Sequence, residues 1–224
     1  MPVTDDELSL LPKRLGLPRG RSALPESEVV ASQRGRIMQA VTDEVAEVGY
    51  AKATVAGITR RARVSRTTFY QSFDDKEHAF SAAYTAISDQ VVSVIRDRAA
   101  RTDDSAWRER IDLGVRALVE SFESRPAYAR SYMVEVRGAG ERLLAQRDRV
   151  VERHARSLAR VAQLAGEAGA PVRQPTELEV IAAIGGTEEL IARAARRVGS
   201  GQRHSFRSII PAIVTIHTSV LQAD

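Results

Sequence analysis

Arg66, Thr67, Thr68 and Gln71 lie close together on a short stretch that opens with Ser65. Their side chains suit a DNA groove: arginine can pair with guanine, threonine can meet a thymine methyl, and glutamine can pair with adenine. Tyr70 and Lys76 suit phosphate oxygens, because the amino end of the helix that begins near Lys76 is itself an anion site. Between Glu47 and Asp74 there is no acid, whereas Lys52, Arg60, Arg61, Arg63 and Arg66 all fall in that stretch. Such a charge run fits a nucleic-acid footprint and fits a solvated face equally well. A polar surface helix in an ordinary bundle would also show these residue types.

Other chemistries find less in the chain. Glu188 and Glu189 are adjacent, so on a helix they point about 100° apart and make poor acid–base partners. Gly138-Ala139-Gly140 lacks the third glycine of a dinucleotide loop and follows no clear strand. The absence of cysteine excludes disulfides, thiolate metal sites and a cysteine nucleophile. His154 stands alone and reads as structural. No catalytic, metal or cofactor site is expected, and an enzyme is not. A non-specific nucleoid protein is a second alternative, to be separated by equal affinity for random and palindromic DNA.

The elements that would position these residues are helices. Ile37, Val41, Val45 and Val48 step by four, four and three, as one face of a helix does, and Gly49 ends it. Thr54 offers an N-cap for a short helix near 55 to 62, and Arg63 and Val64 form a turn. Ser65 caps a second short helix near 66 to 72. Two short helices joined by a tight turn make a helix-turn-helix. Ile58, Val64 and Phe69 are spaced to meet in a small three-helix core, and Ala62 is small where two helices cross. Asp74 or Asp75 caps a longer helix from about 76 to 100. Further helices are expected near 105–124, 127–136, 140–168, 176–198 and 204–221, with breaks at Pro126, Gly169–Pro171 and Gly199–Gly201. Strict two-residue alternation is almost absent, so the fold class is all-α.

The chain of 224 residues is 43% hydrophobic and 28% charged, with a formal net charge of +4, ordinary for a soluble globular protein. No apolar run approaches the roughly 18 residues of a membrane span, and the N-terminus carries Asp5, Asp6 and Glu7 where a signal peptide is basic. A cytoplasmic protein without membrane partners is the expectation. Pro12, Pro18 and Pro25 with Gly16 and Gly20 make the start of the chain an irregular basic arm. The expected division is 1–28 for the arm, 29–78 for the helix-turn-helix domain and 79–224 for a regulatory domain.

Residues 34 to 80 resemble the N-terminal domain of the TetR family of regulators. The resemblance is carried by Ile37, Ala40, Gly49-Tyr50, Ala53-Thr54-Val55, Ile58, Ala62, Val64-Ser65-Arg66, Thr68-Phe69-Tyr70, Phe73, Lys76-Glu77 and Phe80. Ser72 stands where the family commonly has His or Tyr. The resemblance implies a dimeric repressor bound to a palindromic operator in double-stranded DNA, with Thr54, Ser65, Arg66, Thr67, Thr68, Tyr70 and Lys76 on DNA-contacting positions. An activator stays an open alternative. Leu17-Pro18-Arg19-Gly20-Arg21 resembles an extension found in some such regulators, so Arg19 and Arg21 are candidates for a minor groove.

The resemblance further implies a larger helical domain that binds a small-molecule inducer and forms the homodimer. Its aromatic residues Phe122, Tyr128 and Tyr132, with His154, are the pocket candidates, although aromatics at helical spacing equally build a core. Ile181, Gly185 and Glu188 share a helix face, with Gly186 beside them, and Phe206, Ile210 and Ile213 begin an apolar stripe on the last helix. Because the family pairs its last two helices across the dimer, these are the expected interface residues, with core packing as the alternative.

Overall fold

A computed structural model describes residues 26–199 and 206–223. The described residues form nine α-helices and no strand; Val172 and Gln222 meet in an isolated bridge. Arg19 and Arg21 lie outside the described residues.

Helix α1 (Glu26–Val48) buries Ile37, Val41 and Val45 along the face their spacing predicts. It begins inside the stretch assigned to the arm. Glu28 suits the positive end of the helix dipole. The chain turns at Gly49, whose φ of +82° favours glycine. Helices α2 (Val55–Ala62) and α3 (Arg66–Ser72) follow, then α4 (Lys76–Ala99), capped by Asp75, whose carboxylate accepts from His78 N. Helix α4 buries Phe80, Ala83, Tyr84, Ile87 and Val91, so one stripe serves both halves of the protein.

Helix α5 (Trp107–Glu123) packs along α4, and α6 (Pro126–Met133) starts on a proline at its first turn. The expected helix 127–136 is shorter than its pattern. Its last residues tighten into a 3₁₀ turn, Glu135–Gly138, which turns Glu135 toward the first domain. Helices α7 (Glu141–Glu167), α8 (Glu177–Gly199) and α9 (Ile210–Leu221) complete the larger half; a 3₁₀ turn, Phe206–Ile209, leads into α9. Helix α8 packs against α6, α7 and α9, and α9 also packs against α5. Among the described residues, no helix is long and apolar enough to cross a membrane.

Candidate nucleic-acid interface and ligand cavity

The helix-turn-helix is built by short-range chemistry. Thr54 Oγ1 accepts from Gly57 N at 3.0 Å and Ser65 Oγ accepts from Thr68 N at 3.0 Å, so each short helix has the cap its sequence predicts. Arg63 between them is left-handed, with φ 54°, and its N–H donates to the Arg60 carbonyl. Ile58 and Phe69 are fully buried and Val64 packs against them at the edge. Gly57 lies where α1 and α2 touch: a Cβ there would stand 1.9 Å from Glu44 Oε1. Glu44 is itself buried and paired with Arg61 at 3.1 Å, so this crossing has no room to spare. Arg34 joins α1 to the end of α3. Its guanidinium donates to Ser72 O at 2.7 Å and lies 4.2 Å over the Phe73 ring.

The packing leaves one side of α3 in water. Arg66, Thr67, Tyr70 and Gln71 are exposed, as are Ser65 and Thr54, and Thr68 is half-buried with its hydroxyl 2.9 Å from Ser65 Oγ. Tyr70 is 48% exposed and leans edge-on against Phe69, an orientation that keeps its phenol outward. Lys52, Arg60 and Arg63 are exposed close by in sequence. Lys76 differs. Its ammonium donates to the carbonyls of Tyr50 and Ala53 at 2.9 and 3.0 Å and lies over the Tyr50 ring, so two of its three donors tie α4 to the turn after α1.

Residues 37–83 match the family model described as bacterial regulatory proteins, tetR family. The match is confined to those residues of the 224, so it is the N-terminal helices that are similar to the TetR family. No curated protein sequence matches it. Among solved structures, the fold is similar to the fatty acid degradation regulator FadR from Bacillus halodurans, at 17% identity and TM-score 0.71, covering 81% of this chain and 96% of that one. It is also similar to FadR from Bacillus subtilis in complex with stearoyl-CoA, at 16% identity and TM-score 0.71, covering 82% and 97%. A TetR family transcription regulator from Marinobacter aquaeolei VT8 is 21% identical with TM-score 0.68, covering 88% and 100%. At these identities the likeness is one of fold.

In the larger half of the chain, helices α4 to α9 line a partly open cavity of about 720 Å³. Tyr132, Met133 and His154 line it. Phe122 and Tyr128, expected beside them, do not: both are fully buried in solid core, Phe122 against Tyr132 at 5.6 Å and Tyr128 under the Arg125 guanidinium. Aromatics on the inner face of α5 and α6 were needed to fill the bundle. Tyr132 stacks on Tyr84 at 4.2 Å, meets Ser88 Oγ at 2.7 Å, and has its phenol pushed up to about 12 by burial. Burial holds His154 and His217 down at about 4, so both are neutral at pH 7. Thr187 gives its hydroxyl proton to Ala183 O, which leaves the oxygen to accept from His217 Nε2 at 2.9 Å. Residues that sequence reasoning missed include Arg153, His217 and the apolar wall of Val91, Ile95, Ile111, Val115 and Leu118.

The expected dimer residues divide. Phe206, Ile210 and Ile213 are buried in the chain's own core, so the apolar stripe of α9 faces inward. Glu188 is also internal, paired with Arg137 at 3.0 Å and with Arg147. Ile181 is exposed, and a Cβ at Gly185 would meet open space. Leu178, 78% exposed, and Ala182 extend that outer face. Pro211, Ala212, Thr215 and Ser219 form the outer face of α9.

Proposed function

We propose that the chain is a ligand-responsive transcriptional repressor that binds an inverted-repeat operator as a homodimer. The observation that carries this reading is α3, a capped short helix whose exposed side holds Arg66, Thr67, Tyr70 and Gln71 inside an acid-free stretch. In this reading residues 29–78, with the added turn from Glu26, read DNA and residues 79–224 regulate. Thr54, Ser65, Thr68 and Lys76 support the contact by holding the helices, and Arg19 and Arg21 reach a minor groove. The cytoplasm is where such a protein works.

The outer faces of α8 and α9 supply the partner surface. Leu178 and Ile181 expose apolar area beside Gly185 and the small residues of α9, which suits close helix packing between two copies. Regulation is supported by the cavity and by the presence of stearoyl-CoA in a protein of similar fold. Two connections run from the cavity to the reading head. Helix α4 carries Val91 and Ile95 at the cavity and Lys76 at the turn beside α2. The α6 segment carries Tyr132 and Met133 at the cavity, while Ser131 Oγ donates to Thr42 O at 2.7 Å and Glu135 accepts from Tyr50 N at 3.0 Å. A ligand that prefers the shape unsuited to DNA would shift the population through either connection.

Selection of bound DNA from a random pool tests the reading. The expected result is an enriched inverted repeat whose half-site centres lie about 34 Å apart or a multiple of that. Enrichment without two-fold symmetry, or none at all, would overturn it.

A further inference from the structure

The cavity contains hydrogen-bond donors that the fold leaves unanswered. Arg153 on α7 donates from Nη1 to Asp89 Oδ1 at 2.7 Å. Its Nε and Nη2 are buried with no hydrogen-bond partner among the described residues, and so is Nε2 of His154, the next residue. A buried donor without a partner is destabilising, and more so when charged. Such groups call for an explanation, and a bound ligand or water that accepts from them is one.

The two open nitrogens of Arg153 are the side-on fork of the guanidinium, the edge that receives both oxygens of a carboxylate. Both Arg153 and His154 line the cavity. Neutral His154 can donate from Nε2 without adding a second charge. Glu188 also lines the cavity, but Arg137 and Arg147 already hold its carboxylate, so the open groups are the donors of Arg153 and His154. Much of the remaining wall is hydrocarbon, from Val91, Ile95, Ile111, Val115, Leu118 and Val161. The volume of about 720 Å³ lies within the about 300–1,000 Å³ usual for small-molecule sites.

We propose that this cavity binds a long-chain carboxylate, with its alkyl chain against the apolar wall and its carboxylate on Arg153 Nε and Nη2 and on His154 Nε2. The proposal rests on reading the larger half as regulatory, but the two fail separately. Operator selection by the unliganded protein does not involve the fatty acid.

Calorimetric titration of the full chain with palmitate, hexadecanol and palmitoyl-coenzyme A tests it. Palmitate is expected to bind at least tenfold more tightly than hexadecanol. Arg153→Met keeps the aliphatic stem and should remove that preference, weakening palmitate at least tenfold while hexadecanol is unchanged. Leu118→Trp fills the cavity and should abolish both. Thermal melts and operator binding by each variant establish that it is folded, and Leu118→Trp keeps the test decisive if Arg153→Met is not. Equal binding of palmitate and hexadecanol, or palmitate binding indifferent to Arg153→Met in a folded variant, overturns the proposal. So does tight binding of the coenzyme A thioester without binding of palmitate. That outcome would move the anion to the exposed arginines at the rim, Arg96 and Arg156.

Discussion

Arg66 and Tyr70 are both exposed on α3, yet their chemistry assigns them different work. A guanidinium paired with a base edge discriminates, and its removal costs about 1–3 kcal/mol and relaxes preference at one base pair. A phenol on phosphate positions without reading. In fluorescence anisotropy, Arg66→Ala is therefore expected to weaken operator far more than random DNA, and Tyr70→Phe to weaken both alike. Equal losses on the two DNAs for Arg66→Ala would remove it from base reading. These residues were legible in the sequence because α3 is short, capped and acid-free, so its exposed side is set locally. Arg153, His154 and His217 were not legible as a set. His217 joins the adjacent Arg153 and His154 only when α8 packs against both α7 and α9, and nothing in spacing marks one arginine of many. The two histidines give a pH signature. Their pKa in the fold is about 4, below the ordinary 6.5, because burial penalises the cation. The unfolded chain then takes up protons first as pH falls. Stability should be insensitive to these groups above about pH 6.5 and decline between 6.5 and 4. Urea melts across that range should show a shallower decline in His154→Gln and His217→Gln, and identical slopes would assign the decline to other groups.

The helices obey their caps. Thr54, Ser65 and Asp75 set the starts of α2, α3 and α4 where the sequence places them, because a cap satisfies an orphan amide within three residues. Helix α6 departs from its pattern because its last turn answers a distant group: Glu135 holds Tyr50 N, a contact no local rule encodes. Gly57 shows the same limit. The sequence marks Ala62, buried in the fold, as the small residue where the two short helices cross, but it does not mark Gly57, where α1 comes close to α2. Two effects oppose one another at that position. Alanine in place of glycine favours an exposed helix by about 1 kcal/mol. Here the added methyl would meet the Glu44 carboxylate, which is buried and held by Arg61. Overpacking of this kind typically costs about 1–3 kcal/mol. Gly57→Ala is expected to destabilise, read as a lower midpoint in thermal or urea melts. Glu44→Ala combined with Gly57→Ala should recover part of the loss relative to the sum of the single variants, because the clash is gone. A stabilised Gly57→Ala would mean that Glu44 moves aside at little cost.

At the scale of the whole molecule, the sequence suggested an all-α architecture, and it marked an apolar stripe on α9 for which core packing, the alternative to a dimer seam, is what the fold shows. Periodicity marks that stripe but not whether α5 and α8 of the same chain or a second copy covers it. In the fold Phe206, Ile210 and Ile213 go inward, and the surface proposed for a second copy is the line of Leu178, Ile181, Ala182 and Gly185 with the small residues of α9. Gly185 is the position from which to test it. A Cβ there meets nothing within the chain, so a larger side chain leaves the protomer's own packing intact. It would, however, stand between two helices brought close by small residues, and an arginine adds the burden of burying a charge. Gly185→Arg is therefore expected to yield a folded monomer in analytical ultracentrifugation, with the helical circular dichroism of the parent. The effect on DNA follows from linkage. In a dimer the second reading head binds as if at millimolar concentration, and losing it weakens overall binding by roughly 10²–10⁴-fold without touching α3. Affinity for an isolated half-site should stay within a few-fold of the parent. A Gly185→Arg protein that stays dimeric would place the partner surface elsewhere, and one that is monomeric yet binds the full operator undiminished would show that the two half-sites are not read together.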